Sequence, residues 1–176
     1  LQNTENRLDM AIQGEGFFVI ERPDGQNGYT RSGQFQISPD GVLVNADGYP
    51  LAPNIEIPEE AVEVSISQSG VVEVKFQGEV DTVEVGRIEL ATFVSPVGLE
   101  AVGNNMLIET TASGPPTIGE PGTENTGSVL QAFLESSNVD PVTEMTMLIT
   151  AQRAYDLNSK VIKAGDEMMA TVTQLR

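Results

Sequence analysis

The 176-residue sequence contains no cysteine and no histidine. The first absence excludes disulfides, thiolate metal sites and cysteine nucleophiles. The second removes the commonest general base near neutral pH and the commonest metal ligand. Tryptophan is also absent and aromatic residues make up only 5%, which disfavours an aromatic ligand pocket. We therefore predict a protein that is not an enzyme, with no catalytic residue, metal or cofactor.

Long apolar runs are missing too. No segment approaches the roughly 20 apolar residues of a membrane helix, so we expect no membrane insertion. The net charge of −17 argues against binding to nucleic acid or to anionic membranes. Residues 1–139 hold 21 acidic and five basic side chains, whereas residues 140–176 hold five and four. This asymmetry predicts two regions with different surroundings.

Glycine and proline are frequent, with 17 and 10 copies, and Asp-Gly pairs recur between short apolar runs. Such pairs favour tight turns between antiparallel strands. The clearest hairpin is predicted over 62–76, with a turn at 68–70 and period-two alternation that places one face in the core. The apolar positions of that face are Val62, Val64, Ile66, Val72, Val74 and Phe76. Val83, Val85, Ile88 and Leu90 are expected to continue the sheet, with a bulge at Gly86-Arg87.

These patterns predict a mostly β fold with a long C-terminal α-helix. The β-rich body is expected over 1–135, as antiparallel short strands and tight turns, and the helix over 136–176. Within the body, residues 112–128 are rich in proline, glycine, serine and threonine, which predicts an exposed loop. The alternation of Leu130, Ala132 and Leu134 predicts a strand that returns the chain to the body.

The predicted helix begins at Asp140-Pro141, an N-cap followed by a proline at the first helical position. Apolar residues then recur every seven positions, as in a coiled coil. The predicted packing positions are Leu148, Tyr155, Ile162 and Met169, with Ala151, Asn158, Gly165 and Val172 three residues behind each. The small and polar members allow close helix approach and specify register. An ordinary surface helix folded onto the β body is the alternative.

Three other features have a structural and a functional interpretation. Gly14-Glu15-Gly16 does not match a phosphate-binding loop, and glycines at a turn explain it. Glu59-Glu60 forms a carboxylate pair, but neighbouring acids are expected by chance among 26 acidic residues. Arg31 lies between two hydroxyl residues in an acidic body, and it is either a subunit contact or one exposed strand cation.

Three separated segments carry a specific resemblance: residues 8–18, residues 29–35, and residues 137–160. In this order they resemble the flagellar hook and basal-body rod protein family. Residues 90–115 resemble its distal-rod branch, with the proximal rod and hook branches as alternatives. Arg7 stands where the family commonly has proline. The family's N-terminal helix is not found before Leu1, so the resemblance implies a chain that lacks this segment.

The resemblance implies a self-assembling structural subunit that forms a helical homopolymer. The C-terminal helix would line the inner tube by coiled-coil packing, and the β body would form the outer layer. Other rod subunits, the hook protein and surrounding ring proteins are the implied partners. The implied location is the extracytoplasmic, periplasmic part of the flagellar basal body, reached by export without a cleaved signal peptide. A secreted polysaccharide-binding β protein is the alternative from another class.

Overall fold

The computed structural model describes residues 1–78, 81–123 and 125–174, with side chains for all of these except 166 and 171–174. The chain separates into two compact units, Leu1–Ser136 and Ser137–Arg176. The first unit is built of short antiparallel strands, and the second contains one long helix. The predicted fold class is therefore confirmed.

Within the described residues, the first unit contains fifteen strands and a 3-10 turn at Pro96–Gly98, and the second unit contains helix α1, Pro141–Gln174. The strands are β1 (Gln2–Asn3), β2 (Met10–Gln13), β3 (Phe17–Glu21), β4 (Asn27–Thr30), β5 (Phe35–Ile37), β6 (Leu43–Asn45), β7 (Ala61–Ile66), β8 (Val71–Phe76), β9 (Thr82–Arg87), β10 (Leu90–Thr92), β11 (Glu100–Gly103), β12 (Met106–Ile108), β13 (Thr117–Gly119), β14 (Ser128–Gln131) and β15 (Phe133–Leu134).

The largest sheet has six strands in the order β11-β12-β4-β3-β10-β13. A three-stranded sheet follows the order β7-β8-β9, and three further pairs join β1 to β15, β2 to β14, and β5 to β6. Strands distant in sequence pair repeatedly, because β2 pairs with β14 and β1 with β15. The two ends of the first unit are therefore held together by backbone hydrogen bonds.

Strand β3 lies in the middle of the six-stranded sheet and is buried on both faces. Phe18 and Ile20 belong to the main apolar core, which also contains residues of the three-stranded sheet. Val19 belongs to a second cluster on the opposite face, and Phe17 packs against that cluster. Successive side chains of a strand point to opposite faces, so one apolar run supplies two cores.

The predicted hairpin is present as β7 and β8, and β9 extends it. Val72 and Val74 are fully buried, as predicted. Val62 is wrong as a core position: its side chain is 68% exposed, because the register of β7 against β8 shifts between Ala61 and Glu63. A bulged residue leaves the alternation of its strand.

The end of this sheet also differs from the prediction. The register of β8 against β9 shifts so that Val85 is the extra residue, immediately before the predicted Gly86-Arg87. Val83 is exposed and Leu90 is buried. Leu90 pairs with Phe18 in the six-stranded sheet, so the chain changes sheets after β9.

Two further segments are corrected. Residues 112–128 are not all exposed loop, because Ser113 is buried and β13 pairs with β10 at the edge of the six-stranded sheet. The predicted strand at Leu130 to Leu134 is two strands, since Ala132 between them has a φ of 64°. The fully buried residue of this segment is Val129, which points to the face opposite that of the predicted Leu130.

The second apolar cluster is aromatic. The rings of Tyr29 and Phe93 meet edge to face with centroids 4.8 Å apart, and Phe17 meets Phe93 at 5.9 Å. Burial raises the pKa of the Tyr29 hydroxyl above its ordinary value of 10.0, and the negative charge of Glu109 raises it further. A hydrogen bond with Asn27 acts in the opposite direction. The fold therefore favours the neutral phenol.

We expect the unfolding free energy to fall as the pH rises above 10. The unfolded chain loses the Tyr29 proton at a lower pH than the folded chain, so this contribution is fully present below pH 10 and is lost as the pH rises through the pKa of the folded state. Tyr29→Phe removes the titrating hydroxyl. The unfolding free energy of this variant, measured with urea between pH 8 and 11, should therefore fall less steeply with pH. The exposed Tyr155 gives the matched control, Tyr155→Phe. Parallel curves for Tyr29→Phe and the unsubstituted chain would contradict the assignment.

Candidate assembly surfaces

Helix α1 starts where the sequence predicts. The Asp140 carboxylate accepts hydrogen bonds from the Val142 backbone N–H at 3.0 Å and from the Thr143 hydroxyl at 2.9 Å. Glu144 lies in the first turn, where a negative charge is favourable at the helix N-terminus. The cap therefore satisfies a backbone donor that would otherwise lack an intrahelical partner.

The predicted packing positions lie on one face of α1, as their seven-residue spacing requires. Leu148, Tyr155 and Ile162 are each more than half exposed, with Tyr155 at 76%. Large apolar side chains exposed in a row at this spacing are typical of a helix that packs against another helix. Their role as a packing seam stays a prediction.

The remaining predicted positions complete this face. Ala151 and Asn158 are exposed, Gly165 is half-buried, and Met169 is exposed. The Val172 side chain lies outside the described residues. Gly165 has open space where a Cβ would stand, so the small residue leaves room for a close approach.

The guanidinium of Arg31, in the first unit, binds four acceptors of the same chain. Nη1 donates to the carbonyls of Gly14 and Gly16 at 2.9 and 2.8 Å, and Nη2 donates to the Ile12 carbonyl at 3.4 Å. Nε donates to the Glu135 carboxylate at 3.0 Å. These bonds join the β2–β3 turn to the residue that follows β15. The predicted subunit contact through Arg31 stays a prediction.

The sequence neighbours of Arg31 also make contacts within the first unit. The Thr30 hydroxyl donates to the Asn105 carbonyl at 2.8 Å and accepts from the Ser32 N–H at 3.0 Å. At Gly33, a Cβ would stand 1.5 Å from the Met10 carbonyl oxygen. A glycine is therefore required there by contact with the neighbouring backbone.

Gln131 joins the same region, and its part was not predicted from the sequence. Its Nε2 donates to the carbonyls of Arg7 and Val64 at 2.8 and 3.0 Å, and its Oε1 accepts from the Ile66 N–H at 3.2 Å. Its partners lie 65 to 124 residues away in sequence. The sequence shows Gln131 only as a polar residue next to apolar ones. That pattern does not identify the hydrogen-bond partners of its side chain.

No grouping of three or more metal-binding side chains is found among the described residues. Over the same part of the chain, no helix combines the length and apolar character needed to cross a membrane.

A β-rich unit followed by one long helix with exposed heptad positions is typical of a subunit that associates through its helix. Sequence comparison shows the family of the chain. The family described as "Flagellar hook protein FlgE/F/G D1 domain" matches residues 11–74. The family described as "Flagellar basal body rod FlgEFG protein C-terminal" matches residues 130–175.

Several relatives match almost the whole chain. The flagellar basal-body rod protein FlgG of Caulobacter vibrioides is 48% identical over 98% of this chain and 66% of its own length. The FlgG of Borreliella burgdorferi is 42% identical over 100% of this chain and 67% of its own length. The FlgF of Caulobacter vibrioides is 31% identical over 99% of this chain. The chain belongs to the flagellar hook and basal-body rod protein family, and it spans 66% of the length of the Caulobacter FlgG.

We expect Arg31→Ala to lower the unfolding free energy of the first unit by about 3 kcal/mol, because hydrogen bonds to a charged group are each worth roughly 1.5–3 kcal/mol and the site is partly exposed. Arg31→Lys should lose about half as much, since one ammonium cannot reach carbonyls and carboxylate together. Urea unfolding followed by near-UV circular dichroism of the aromatic cluster measures both.

Glu135→Gln is the matched control for charge alone. A half-exposed ion pair contributes roughly 0.2–1 kcal/mol, so this variant should lose no more than about 1 kcal/mol. If Arg31→Lys is as stable as the unsubstituted chain, the carbonyl contacts contribute nothing that a simple positive charge does not.

Proposed function

We propose that the chain is part of a structural, self-assembling subunit of the bacterial flagellar rod, and that it acts by packing rather than by catalysis. The observation that carries this proposal is the family membership: family models match residues 11–74 and 130–175, and the Caulobacter FlgG matches 98% of the chain. The subunits form a hollow helical shaft that transmits torque from the motor to the hook.

The distal rod is the preferred place for this subunit within the shaft. Two proteins of one organism support the choice, because the chain is 48% identical to the Caulobacter FlgG and 31% identical to the Caulobacter FlgF. A proximal rod or hook subunit of the same family is the second candidate, since one family description covers all three names.

The two units have separate roles in this proposal. Residues 1–135 form the outer layer, and residues 136–176 form the inner tube. Charge supports the division, because the excess of acidic residues lies almost entirely before residue 140. Acidic bodies that are spread over the outside repel one another less than acidic helices crowded about an axis.

The inner tube is held by the apolar face of α1. Large side chains at Leu148, Tyr155 and Ile162 lie one heptad apart, so each inserts between residues of a neighbouring helix. The smaller Ala151 and Gly165 permit close approach, and the Asn158 amide favours one register over slipped alternatives. Many such contacts repeated along the shaft resist shear between subunits, which is what torque transmission requires.

The partners in this proposal are further copies of the subunit, other rod subunits, the hook protein and the ring proteins around the shaft. The location is the extracytoplasmic rod of the basal body. The subunit needs no cofactor. Its net charge of −17 disfavours nucleic acid as a partner.

Tyr155→Asp in the encoded protein should abolish swimming, because it places a charge where helices pack and are desolvated. The first unit should keep its fold, as judged by circular dichroism of the purified variant. Motility in soft agar and electron microscopy of isolated basal bodies measure the effect on assembly.

Leu157→Asp is the matched control. Leu157 is also apolar and is 62% exposed, but it lies two residues from Tyr155 and so on a different face of the helix. Cells with this variant should swim. Normal swimming with Tyr155→Asp, or equal loss with both variants, would overturn the assignment of the helix face.

A further inference from the structure

The chain leaves the first unit through residues 131–135, which we name the exit segment. The alternation of Leu130, Ala132 and Leu134 favours one straight strand here. The structure instead breaks the strand at Ala132, whose φ is 64°, between β14 and β15. A residue with a Cβ is disfavoured in this left-handed conformation. The exit segment therefore contains a strained bend.

Backbone strain of this kind persists only where surrounding contacts hold it. The Ala132 N–H donates to the Asp9 carbonyl at 2.7 Å, and the Ala132 carbonyl accepts from the Thr4 N–H at 3.0 Å. In a regular strand the N–H and the C=O of one residue point to the same neighbouring strand. At Ala132 they reach two segments, one just after β1 and one just before β2. The bend thus joins parts of the fold that a straight strand could not join.

Contacts on both sides of Ala132 hold the bend closed. Before it, the Gln131 side chain binds the backbone of Arg7 and of β7. After it, β15 pairs with β1, and the Glu135 carboxylate accepts a hydrogen bond from Arg31 Nε at 3.0 Å. The exit segment is therefore attached to several strands at once.

Arg31 is a fixed anchor for the last of these contacts. Its remaining N–H groups donate to the carbonyls of Ile12, Gly14 and Gly16. An exposed ion pair usually gains little, because two long side chains lose their freedom when it forms. Here the carbonyls already hold the guanidinium, so only Glu135 is ordered by the pair. The glycine turn between β2 and β3 thereby supports the exit segment.

We propose that the exit segment is a sprung bend, a strained conformation kept closed by these contacts, and that the shaft requires it to be closed. This rests on the proposed function, because a force carried along the chain from the inner tube to a body crosses residues 136 and 137. A closed bend passes that force to β1, β7 and the β2–β3 turn together. An open bend leaves residues 132–136 as slack chain.

Opening has a definite cause. It relieves the strain at Ala132 and lets residues 130–134 take the straight form that their alternation favours. The contacts that oppose it after the bend are weak, because β1 and β15 have two residues each and the Arg31–Glu135 pair is partly exposed. The residue type at position 132 should therefore decide between the closed and the open form, while the apolar cores stay intact.

Two substitutions of Ala132 test the bend in the full chain, because they act in opposite directions. Glycine adopts positive φ freely, so Ala132→Gly should keep the bend closed. Valine favours extended backbone and is strongly disfavoured at positive φ, so Ala132→Val should open it. Hydrogen exchange of the Thr4 amide, which bonds to the Ala132 carbonyl, should be at least tenfold faster in Ala132→Val and no faster in Ala132→Gly.

Ala101→Val is the matched control. Ala101 is exposed on strand β11, which pairs with β12 and takes no part in the exit segment. The same change of side chain there should leave exchange of the Thr4 amide unaltered. Near-UV circular dichroism of the aromatic cluster should be unaltered in all three variants. Loss of that signal in Ala132→Val would overturn the inference, because the bend would then not be separable from the core.

The absence of cysteine allows the bend to be locked in the encoded protein. Asn3 lies directly opposite Phe133 in the β1–β15 pair, so Asn3→Cys with Phe133→Cys brings two thiols within reach of a disulfide. Ala132→Val should at least halve the diameter of the swimming zone in soft agar, whereas Ala132→Gly and Ala101→Val should not. Adding the cysteine pair to Ala132→Val should restore swimming, and either cysteine alone should not.

The outcomes separate this inference from the proposed function. If antibodies do not detect the unsubstituted protein in isolated rods, the proposed function is overturned, and the exchange measurement still decides whether the bend is sprung. If the protein is in rods but Ala132→Val leaves Thr4 exchange or swimming unchanged, the inference alone is overturned. Failure of the cysteine pair to restore swimming, with the disulfide confirmed by mass spectrometry, also overturns it.

Discussion

The first unit depends on the burial of both faces of β3. Phe18 and Ile20 face the main core, and Val19 faces the aromatic cluster. Because one strand supplies both cores, the six-stranded sheet cannot shift its register without exposing apolar residues on two sides. The pairing of β3 with β4 and β10 then positions Tyr29 and Phe93, whose rings meet edge to face.

The ends of the unit are joined by polar groups whose partners are distant in sequence. Arg31 binds carbonyls of the β2–β3 turn and also Glu135, two residues before the second unit begins at Ser137. Gln131 binds backbone groups before β2 and in β7. Strand pairing alone leaves short strands such as β1 and β15 weakly held, so these side chains fix where the chain leaves the first unit.

Apolar side chains are exposed in both units, among them those on the face of α1 and those of Val94 and Val97. The face of α1 belongs to a nearly neutral segment, whereas Val94 and Val97 belong to an acidic unit. Apolar contacts are non-directional and weak per residue, so charge decides which copies of a surface can approach. In the shaft that we propose, the nearly neutral helices therefore pack together at the axis and the acidic bodies lie outside.

The sequence by itself determined the fold class, the start of the helix at Asp140 and the seven-residue repeat, because these depend on local propensity and periodicity. It also carried the family resemblance. Only the tertiary structure decided that Val62 leaves the core, that Leu90 belongs to another sheet and that Ser113 is buried within a proline-rich segment. Bulges, sheet changes and the partners of Arg31 arise from contacts between distant residues, which a local pattern does not encode.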